Sequence, residues 1–302
     1  MFERLCIIGA GLIGGSVALA ARANGLCSNI VAYGREADAP NLQTALELGV
    51  VDACFTDLEP ALAGADLVLI AVPVGAVAGV FRQLRPFWSE TAVYTDVCSA
   101  KGSVLAAAVE VFGRAPANFI AAHPIAGAER SGAAAAQADL FQQRRLIITP
   151  DAGSDPSALQ KVQAFWQAMG AWVSLMTPAH HDTVFAATSH LPHLLAFALV
   201  GLLGRQDEQR EIFKFAAGGF RDFSRIASSD PTMWVDIALA NRAEILPLLQ
   251  EYRAELSLLE RMLQERRPDE LFQAFSYAKN ARQRYLDQLD DYNNDHDSRN
   301  TV

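Results

Sequence analysis

Histidine, serine and arginine gather in four stretches of the 302-residue sequence. These are Asp96-Val97-Cys98-Ser99-Ala100-Lys101, His123-Pro124-Ile125-Ala126-Gly127-Ala128-Glu129-Arg130-Ser131-Gly132, Ser189-His190-Leu191-Pro192-His193 and Gly218-Gly219-Phe220-Arg221-Asp222-Phe223-Ser224-Arg225. An imidazole moves a proton near neutral pH. A guanidinium can grip a carboxylate with two parallel hydrogen bonds. His123 also fits a core histidine bonded to backbone, and Ser99 a helix N-cap. His190 and His193 could be read as metal ligands. Two histidines need a third ligand, and no carboxylate or thiol stands at ligand spacing nearby, so no metal is expected.

The element around which these stretches are arranged is Gly9-Ala10-Gly11-Leu12-Ile13-Gly14-Gly15. Leu5-Cys6-Ile7-Ile8 before it reads as a buried parallel strand, and Ser16 to Ala23 after it as a helix. Gly9, Gly11 and Gly14 occupy the G-x-G-x-x-G positions of a dinucleotide site. The first makes the tight turn, the second admits a pyrophosphate to the backbone, and the third lets helix and strand pack closely. The N–H groups that open the helix, around Leu12 and Ile13, would receive the phosphates. The second strand, Asn29 to Gly34, ends with Gly34 followed by Arg35, where an NAD-binding domain usually has an acid for the ribose 2′-hydroxyl. An uncharged residue followed by arginine favours a 2′-phosphate, hence NADP, with NAD as the alternative because Glu36 follows. Val72 and Pro73, at the end of the buried strand Ala65 to Pro73, complete the expected cofactor contacts.

Further strands are read at Ala92 to Asp96, Phe119 to Ala122, Leu146 to Pro150 and Trp172 to Met176, with helices at Asn41–Leu48, Val77–Leu84 and Ser157–Met169. Strands alternating with helices predict an α/β dinucleotide-binding, Rossmann-like domain with a mostly parallel sheet over residues 1–177. Ligands of such sheets lie beyond the carboxyl ends of the strands, where Ser99 and His123 both fall. After Thr177 the strands stop. Ala179 to Leu203 reads as a helix, with Pro192 a possible kink. Ser229-Asp230-Pro231 starts another helix. Ile245, Leu248, Leu249, Tyr252, Leu256, Leu259 and Leu263 mark one apolar face, and Leu271, Phe272 and Phe275 begin a further helix. Residues 178–289 are therefore expected to form an all-helical domain, and the polar, acidic segment 290–302 a disordered tail. The long apolar faces would suit a homodimer interface, and an intramolecular core would account for them equally.

Hydrophobic residues make up 51% of the chain, which fits a compact globular protein. The net charge of −9, with no basic run, argues against a nucleic-acid partner. Cys6, Cys27, Cys54 and Cys98 lie far apart, which fits a reducing cytoplasm better than a disulfide framework. The apolar N-terminus is interrupted by glycines in a nucleotide-binding pattern, so it is not read as a targeting segment. The apolar run Leu194 to Leu203 is too short to span a bilayer and reads as a buried helix, so no membrane partner is expected.

Taken with the glycine turn, the stretches H-P-I-A-G, S-H-L-P-H and G-G-F-R-D-F-S-R-I-A closely resemble the prephenate/arogenate dehydrogenase family of tyrosine biosynthesis, over about residues 5–285. The resemblance implies a dinucleotide-binding domain joined to a helical dimerisation domain. It also implies oxidation of a cyclohexadienyl substrate with loss of CO₂, giving 4-hydroxyphenylpyruvate from prephenate or tyrosine from arogenate. A hydride must leave the ring carbon that bears the 4-hydroxyl, and the hydroxyl proton must leave as the carbonyl forms. By resemblance His123 takes that proton, with Ser99 bonded in the same region, and Arg225 holds a substrate carboxylate. His190 and His193 fall at the edge of the site, with Glu129 and Trp234 as further substrate-edge residues. Arg221 ranks below Arg225 because a pairing with an acid elsewhere suits it better. The family pattern usually has Gly where this chain has Cys98, and a passive small residue is the favoured reading there.

Two other functions compete. A 3-hydroxyacid dehydrogenase of similar plan would use a lysine of the helical domain, by resemblance to those enzymes. Lys214 and Lys279 are the only lysines after Lys161, and neither sits in such a motif. A catalytically silent NADP-binding regulator would not need Ser99, His123 and Arg225.

Overall fold

The structure is a computed structural model, and it describes residues 1–127, 130–207 and 211–299. In chain order it comprises β1 (Phe2–Ile8), α1 (Leu12–Ala23), β2 (Cys27–Tyr33), α2 (Ala39–Glu47), β3 (Ala53–Phe55), α3 (Leu58–Leu62), β4 (Leu67–Ile70), α4 (Val77–Leu84), β5 (Val93–Asp96), α5 (Gly102–Phe112) and β6 (Phe119–Pro124). Then come β7 (Arg145–Thr149), α6 (Pro156–Ala168), β8 (Trp172–Leu175), α7 (Pro178–Phe185), α8 (Leu191–Gln206), α9 (Gly218–Ser224), α10 (Pro231–Ala240), α11 (Arg242–Gln264) and α12 (Pro268–Arg299).

The eight strands form one sheet in the order β3-β2-β1-β4-β5-β6-β7-β8. All neighbours are parallel except β6 and β7. The first six strands thus have the doubly wound order, whose direction of winding reverses between β1 and β4. Alternation along β1 sends Leu5 and Ile7 to one face, with Val17, Ala18, Phe165 and Trp166. Cys6 and Ile8 go to the other, with Phe81, Leu84, Val104 and Ala108. Helices covering both faces make the inner strands apolar throughout, which is why short runs of Val, Ile and Leu are readable as parallel strands. A fully buried Phe or Leu in such a layer contributes about 1.5–3 kcal/mol.

The chain forms two compact units, Met1–Ile245 and Leu246–Val302. The helices from 178 to 245 therefore belong with the sheet as a packed body. Thr177 starts α7 by accepting a hydrogen bond from His180 N–H (3.2 Å), and Asp230 caps α10 through Met233 N–H (2.9 Å). Between α7 and α8 the residues Ala186–His190 form a π-helical turn. Pro192 has no N–H and its ring would crowd the carbonyl of Thr188, so the widened turn just before it is where the helix adjusts.

Two expectations from the sequence do not hold. The helix around Leu194 to Leu203 is not buried: within α8 Ala196 alone is fully covered. Pro178–Gln206 is a helix of 29 residues, long and apolar enough by length and composition to cross a membrane. His181, Asp182 and His190, in its first half, are buried and bonded to groups of the same unit. Of the segment 290–302, read as a disordered tail, the described residues 290–299 continue α12, and the rest lies outside the described residues. Earlier in that helix, Gln283 and Asp287 (2.8 Å) form a pair one turn apart that supports it.

Candidate active site

The carboxyl ends of β1, β4, β5 and β6 deliver the glycine turn, Val72-Pro73, Ser99 and His123 to one edge of the sheet. Gly9 has φ +98°, and a Cβ there would lie 2.5 Å from Ala71 O and 3.2 Å from a methyl of Val72. A Cβ on Gly14 would run into Gly9 O and approach Ile7 Cγ2 to 2.9 Å. Only glycine fits at either place. Gly11 is the N-cap of α1, without a side-chain cap, and a Cβ there would meet nothing within 4 Å. The first turn of α1, starting at Leu12 and Ile13, carries no acidic residue. An uncapped helix start facing open space, with no carboxylate in its first turn, fits a dinucleotide pyrophosphate.

At the end of β2, Gly34 is buried and Arg35 exposed. Arg35 is held by Asp38 through Nε (2.9 Å) and a terminal nitrogen (3.1 Å), and Asp38 also accepts the Arg35 backbone N–H (3.0 Å). Arg35 remains 76% exposed in this pair, so it can be re-partnered at little cost.

Beyond β5 and β6 lies a buried polar cluster. Lys101 and Asp96 are both fully buried and paired. Lys101 Nζ also donates to Ala122 O (2.7 Å), and Asp96 accepts from the N–H groups of Cys98 (2.9 Å) and Ala122 (3.0 Å). This pair ties the turn carrying Ser99 to the strand carrying His123. Lys101 is thereby used up and is no candidate for holding a substrate carboxylate. Cys98 is buried, with its thiol directed to Val72 O (3.5 Å). Burial, and then the Asp96 carboxylate, push that thiol well above its ordinary pKa, which disfavours the thiolate.

His123 sits within β6, opposite Ile147 of β7, so the strand runs further than the sequence indicates. Its Nδ1 is 2.8 Å from His181 Nε2, and His181 Nδ1 is 2.9 Å from Asp182 Oδ1. Asp182 Oδ1 also accepts Lys101 N–H, and Oδ2 accepts Gly102 N–H, each at 2.8 Å. Phe185 packs on both imidazoles, with ring centres 5.0 and 4.5 Å away. Burial first, then the neighbouring His181, Lys101 and His190, hold His123 well below its ordinary pKa, so its imidazole is neutral at physiological pH. Ser99 is half-buried on the turn after β5.

The helical residues extend the cluster. His190 Nδ1 accepts from Asn241 Nδ2 (3.0 Å), whose other proton goes to Asp182 O (2.8 Å). Burial lowers the His190 pKa to about 4. His193 donates from Nδ1 to Ser189 O (2.9 Å) and stacks on Trp234 at 3.6 Å. Burial lowers its pKa, and the nearby Arg225 charge lowers it further. Arg225 is exposed just after α9, and Arg221 is a surface residue 3.8 Å from Asp222. The fold thus joins His123, His190, His193, Trp234 and Arg225 into one neighbourhood. Glu129 lies outside the described residues. Among the described residues no group of three or more His, Cys, Asp or Glu side chains is placed to hold a metal ion. Reasoning from the sequence missed His181, Asp182, Lys101, Asp96 and Asn241. The available signal was a His-Asp pair directly after a helix cap in an otherwise apolar helix.

Comparison with known proteins agrees with this geometry. Residues 17–175 match the family "Prephenate dehydrogenase, nucleotide-binding domain", and residues 177–277 match "Prephenate dehydrogenase, dimerization domain". The chain is 35% identical to a cyclohexadienyl dehydrogenase of Zymomonas mobilis over 285 residues, covering 93% of this chain and 96% of that one. It is 34% identical to a prephenate dehydrogenase of Bacillus subtilis over 93% of this chain and 76% of that one. Among solved structures it resembles prephenate dehydrogenase from Aquifex aeolicus, crystallised with hydroxyphenyl propionate and NAD+. The TM-score is 0.86 and the identity 31%, covering 94% and 99% of the two chains. Arogenate dehydrogenase from Synechocystis superposes with a TM-score of 0.77 at 29% identity, covering 94% and 100%. Matches to both family domains along the chain, with relatives 31–35% identical over more than nine-tenths of it, place this protein in the prephenate/arogenate dehydrogenase family, the NAD(P)-dependent enzymes of tyrosine biosynthesis.

Proposed function

We propose that His123 is the general base for the 4-hydroxyl of a cyclohexadienyl substrate and that Arg225 holds a substrate carboxylate. The observation that carries this reading is a buried, neutral imidazole at the end of β6, with both its strand and the neighbouring Ser99 turn fixed by the Lys101–Asp96 pair. The bound nicotinamide supplies the hydride acceptor. His123 takes the hydroxyl proton as the C–O bond becomes a carbonyl, and loss of CO₂ with aromatisation supplies driving force. The chain therefore has to align the ring, exclude water and accept one proton. Ser99 is assigned to the same space, with its hydroxyl toward the substrate. Arg225, whose charge reaches His193, provides the planar cation that a carboxylate requires. His190, His193 and Glu129 are assigned to the substrate edge with Trp234.

NADP+ is the proposed cofactor. No acid stands at Gly34, and the Arg35 guanidinium can exchange Asp38 for a 2′-phosphate. NAD+ is the second reading, favoured by the Asp38 carboxylate at that strand end and by the NAD+ in the Aquifex relative. Gly9, Gly11, Leu12, Ile13, Gly14, Val72 and Pro73 are assigned to the rest of the dinucleotide. We place the division between the dinucleotide-binding and helical parts of the sequence at about residue 177, where the two family matches meet, with the helices up to Ile245 packed on the sheet, and a homodimer interface on the helical part. There Leu256, Leu263, Phe272 and Phe275 are exposed, and residues 177–277 match a dimerization domain. The four free cysteines fit a cytoplasmic location.

The test is steady-state kinetics with prephenate and arogenate, each with NADP+ and NAD+, followed by reduced-nicotinamide absorbance. The expected result is a higher kcat/KM with NADP+, and Arg35→Ala should abolish that preference. A side chain at Gly34 would press on Leu42 (3.2 Å) and Asp38 (3.3 Å), so Arg35 is the cleaner position to change. A wild-type preference for NAD+ would overturn the cofactor assignment.

A further inference from the structure

Resting on the reading of His123 as the base, we infer that His181 and Asp182 are positioning residues. They fix the tautomer of His123 so that Nε2 carries the lone pair, and they stabilise the charge that His123 acquires. Asp182 anchors the chain of bonds. Burial alone would raise its pKa, but hydrogen bonds from His181, Lys101 N–H and Gly102 N–H bring it below the ordinary carboxylate value. An ionised carboxylate only accepts, so the proton between Asp182 and His181 sits on His181 Nδ1. Burial keeps His181 neutral, which leaves Nε2 as an acceptor. The partner at 2.8 Å, His123 Nδ1, must then be the donor. Neutral His123 has one ring proton, and with that proton on Nδ1 its Nε2 is bare.

The movement of protons and electrons follows from this arrangement. The substrate O–H bond breaks, a new N–H bond forms at His123 Nε2, and the hydride electron pair goes to the nicotinamide. The imidazolium so formed keeps its Nδ1–H on His181, whose own Nδ1–H rests on the Asp182 carboxylate. The positive charge thus faces an ionised acid across one intervening ring, among buried side chains. An acid that orients and charge-balances a catalytic histidine is a recurring device in other enzymes. Here a second imidazole extends its reach. A purely structural alternative exists, because Asp182 also receives the first N–H groups of α5 and so acts as a cap supplied by another helix.

Two measurements separate these roles. The first is ¹⁵N NMR of histidine-labelled wild-type protein without ligand near neutral pH, with resonances assigned through single histidine substitutions. Protonated Nδ1 and bare Nε2 are expected on both His123 and His181. A proton on His123 Nε2 would overturn the inference, and this measurement does not depend on any variant folding as designed. The second is kinetics of Asp182→Asn and His181→Gln. The amide introduced by Asp182→Asn can donate to His181 Nδ1, which would reverse both tautomers, so kcat should fall roughly 10²- to 10⁴-fold with little change in KM. The amide introduced by His181→Gln can still accept from His123 Nδ1 but cannot pass charge to Asp182, so its loss should be smaller, roughly 10-fold. If His123→Asn is inactive while Asp182→Asn stays within about threefold of wild type, the positioning role fails and the base assignment stands. If His123→Asn retains activity, the base assignment itself fails.

Discussion

Replacing Lys101 by methionine removes the ammonium bonded to Asp96 while filling most of the same volume. Both groups are fully buried, and the carboxylate would be left with the N–H groups of Cys98 and Ala122. Ala122 O would also lose the ammonium donor at 2.7 Å. Breaking a buried pair from one side leaves an uncompensated charge, and the cost is about 3–5 kcal/mol. That is a large part of the stability of an ordinary domain. Removing both charges, in Asp96→Asn with Lys101→Met, should recover most of the loss, because desolvation of the remaining ion is the dominant penalty. The expected coupling between the two sites is therefore roughly 2–3 kcal/mol. Urea denaturation of the wild type, both single variants and the double variant measures it. A Lys101→Met protein within about 1 kcal/mol of wild type would refute the reasoning, since it would mean that Asp96 carries no buried charge to be neutralised.

Arg225→Gln should raise the substrate KM, at a cost of roughly 2–4 kcal/mol in binding, and leave the NADP+ Kd unchanged, as titration and kinetics would show. An unchanged KM would move the carboxylate to another cation, with Arg221 the first to examine. Acid should destabilise the fold in a defined window. His190 has a folded pKa of about 4 against an ordinary 6.5, so the unfolded chain binds the extra proton first as pH falls. Stability is complete above pH 6.5 and declines as pH falls toward 4, by about 3 kcal/mol from this group. Burial depresses His181 and His123 in the same direction. Urea midpoints measured across that range, with His190→Asn flattening the slope, check this; a flat wild-type profile would contradict it.

The parts of the fold legible in the sequence are those dictated locally. Gly9 and Gly14 announce the turn because a Cβ at either would collide with backbone. Strands β1, β4 and β6 announce themselves because helices bury both faces, so apolar runs dominate them. β3 escapes such reading because it is three residues long, too short for a period to show. His123 and Ser99 can be placed at strand ends from the sequence. The partner of His123 cannot, because His181 arrives from 58 positions away on a helix whose first turn looks like an ordinary cap. Lys101 and Asp96 lie in plain view within one stretch, yet nothing local says that the lysine is turned inward. Acidity after residue 290 suggests disorder, whereas α12 runs on to Arg299 from a stretch where Gln283 and Asp287 support helix at i, i+4 spacing.

That His123 receives the substrate proton is tested most directly by His123→Asn, which removes the acceptor and leaves β6 and the Lys101–Asp96 pair in place. The measurement is kcat together with the Kd for NADP+ on the same protein. The expected result is a kcat lower by roughly 10²-fold or more with an unchanged Kd. A near-wild-type kcat would contradict the assignment of His123 as the base.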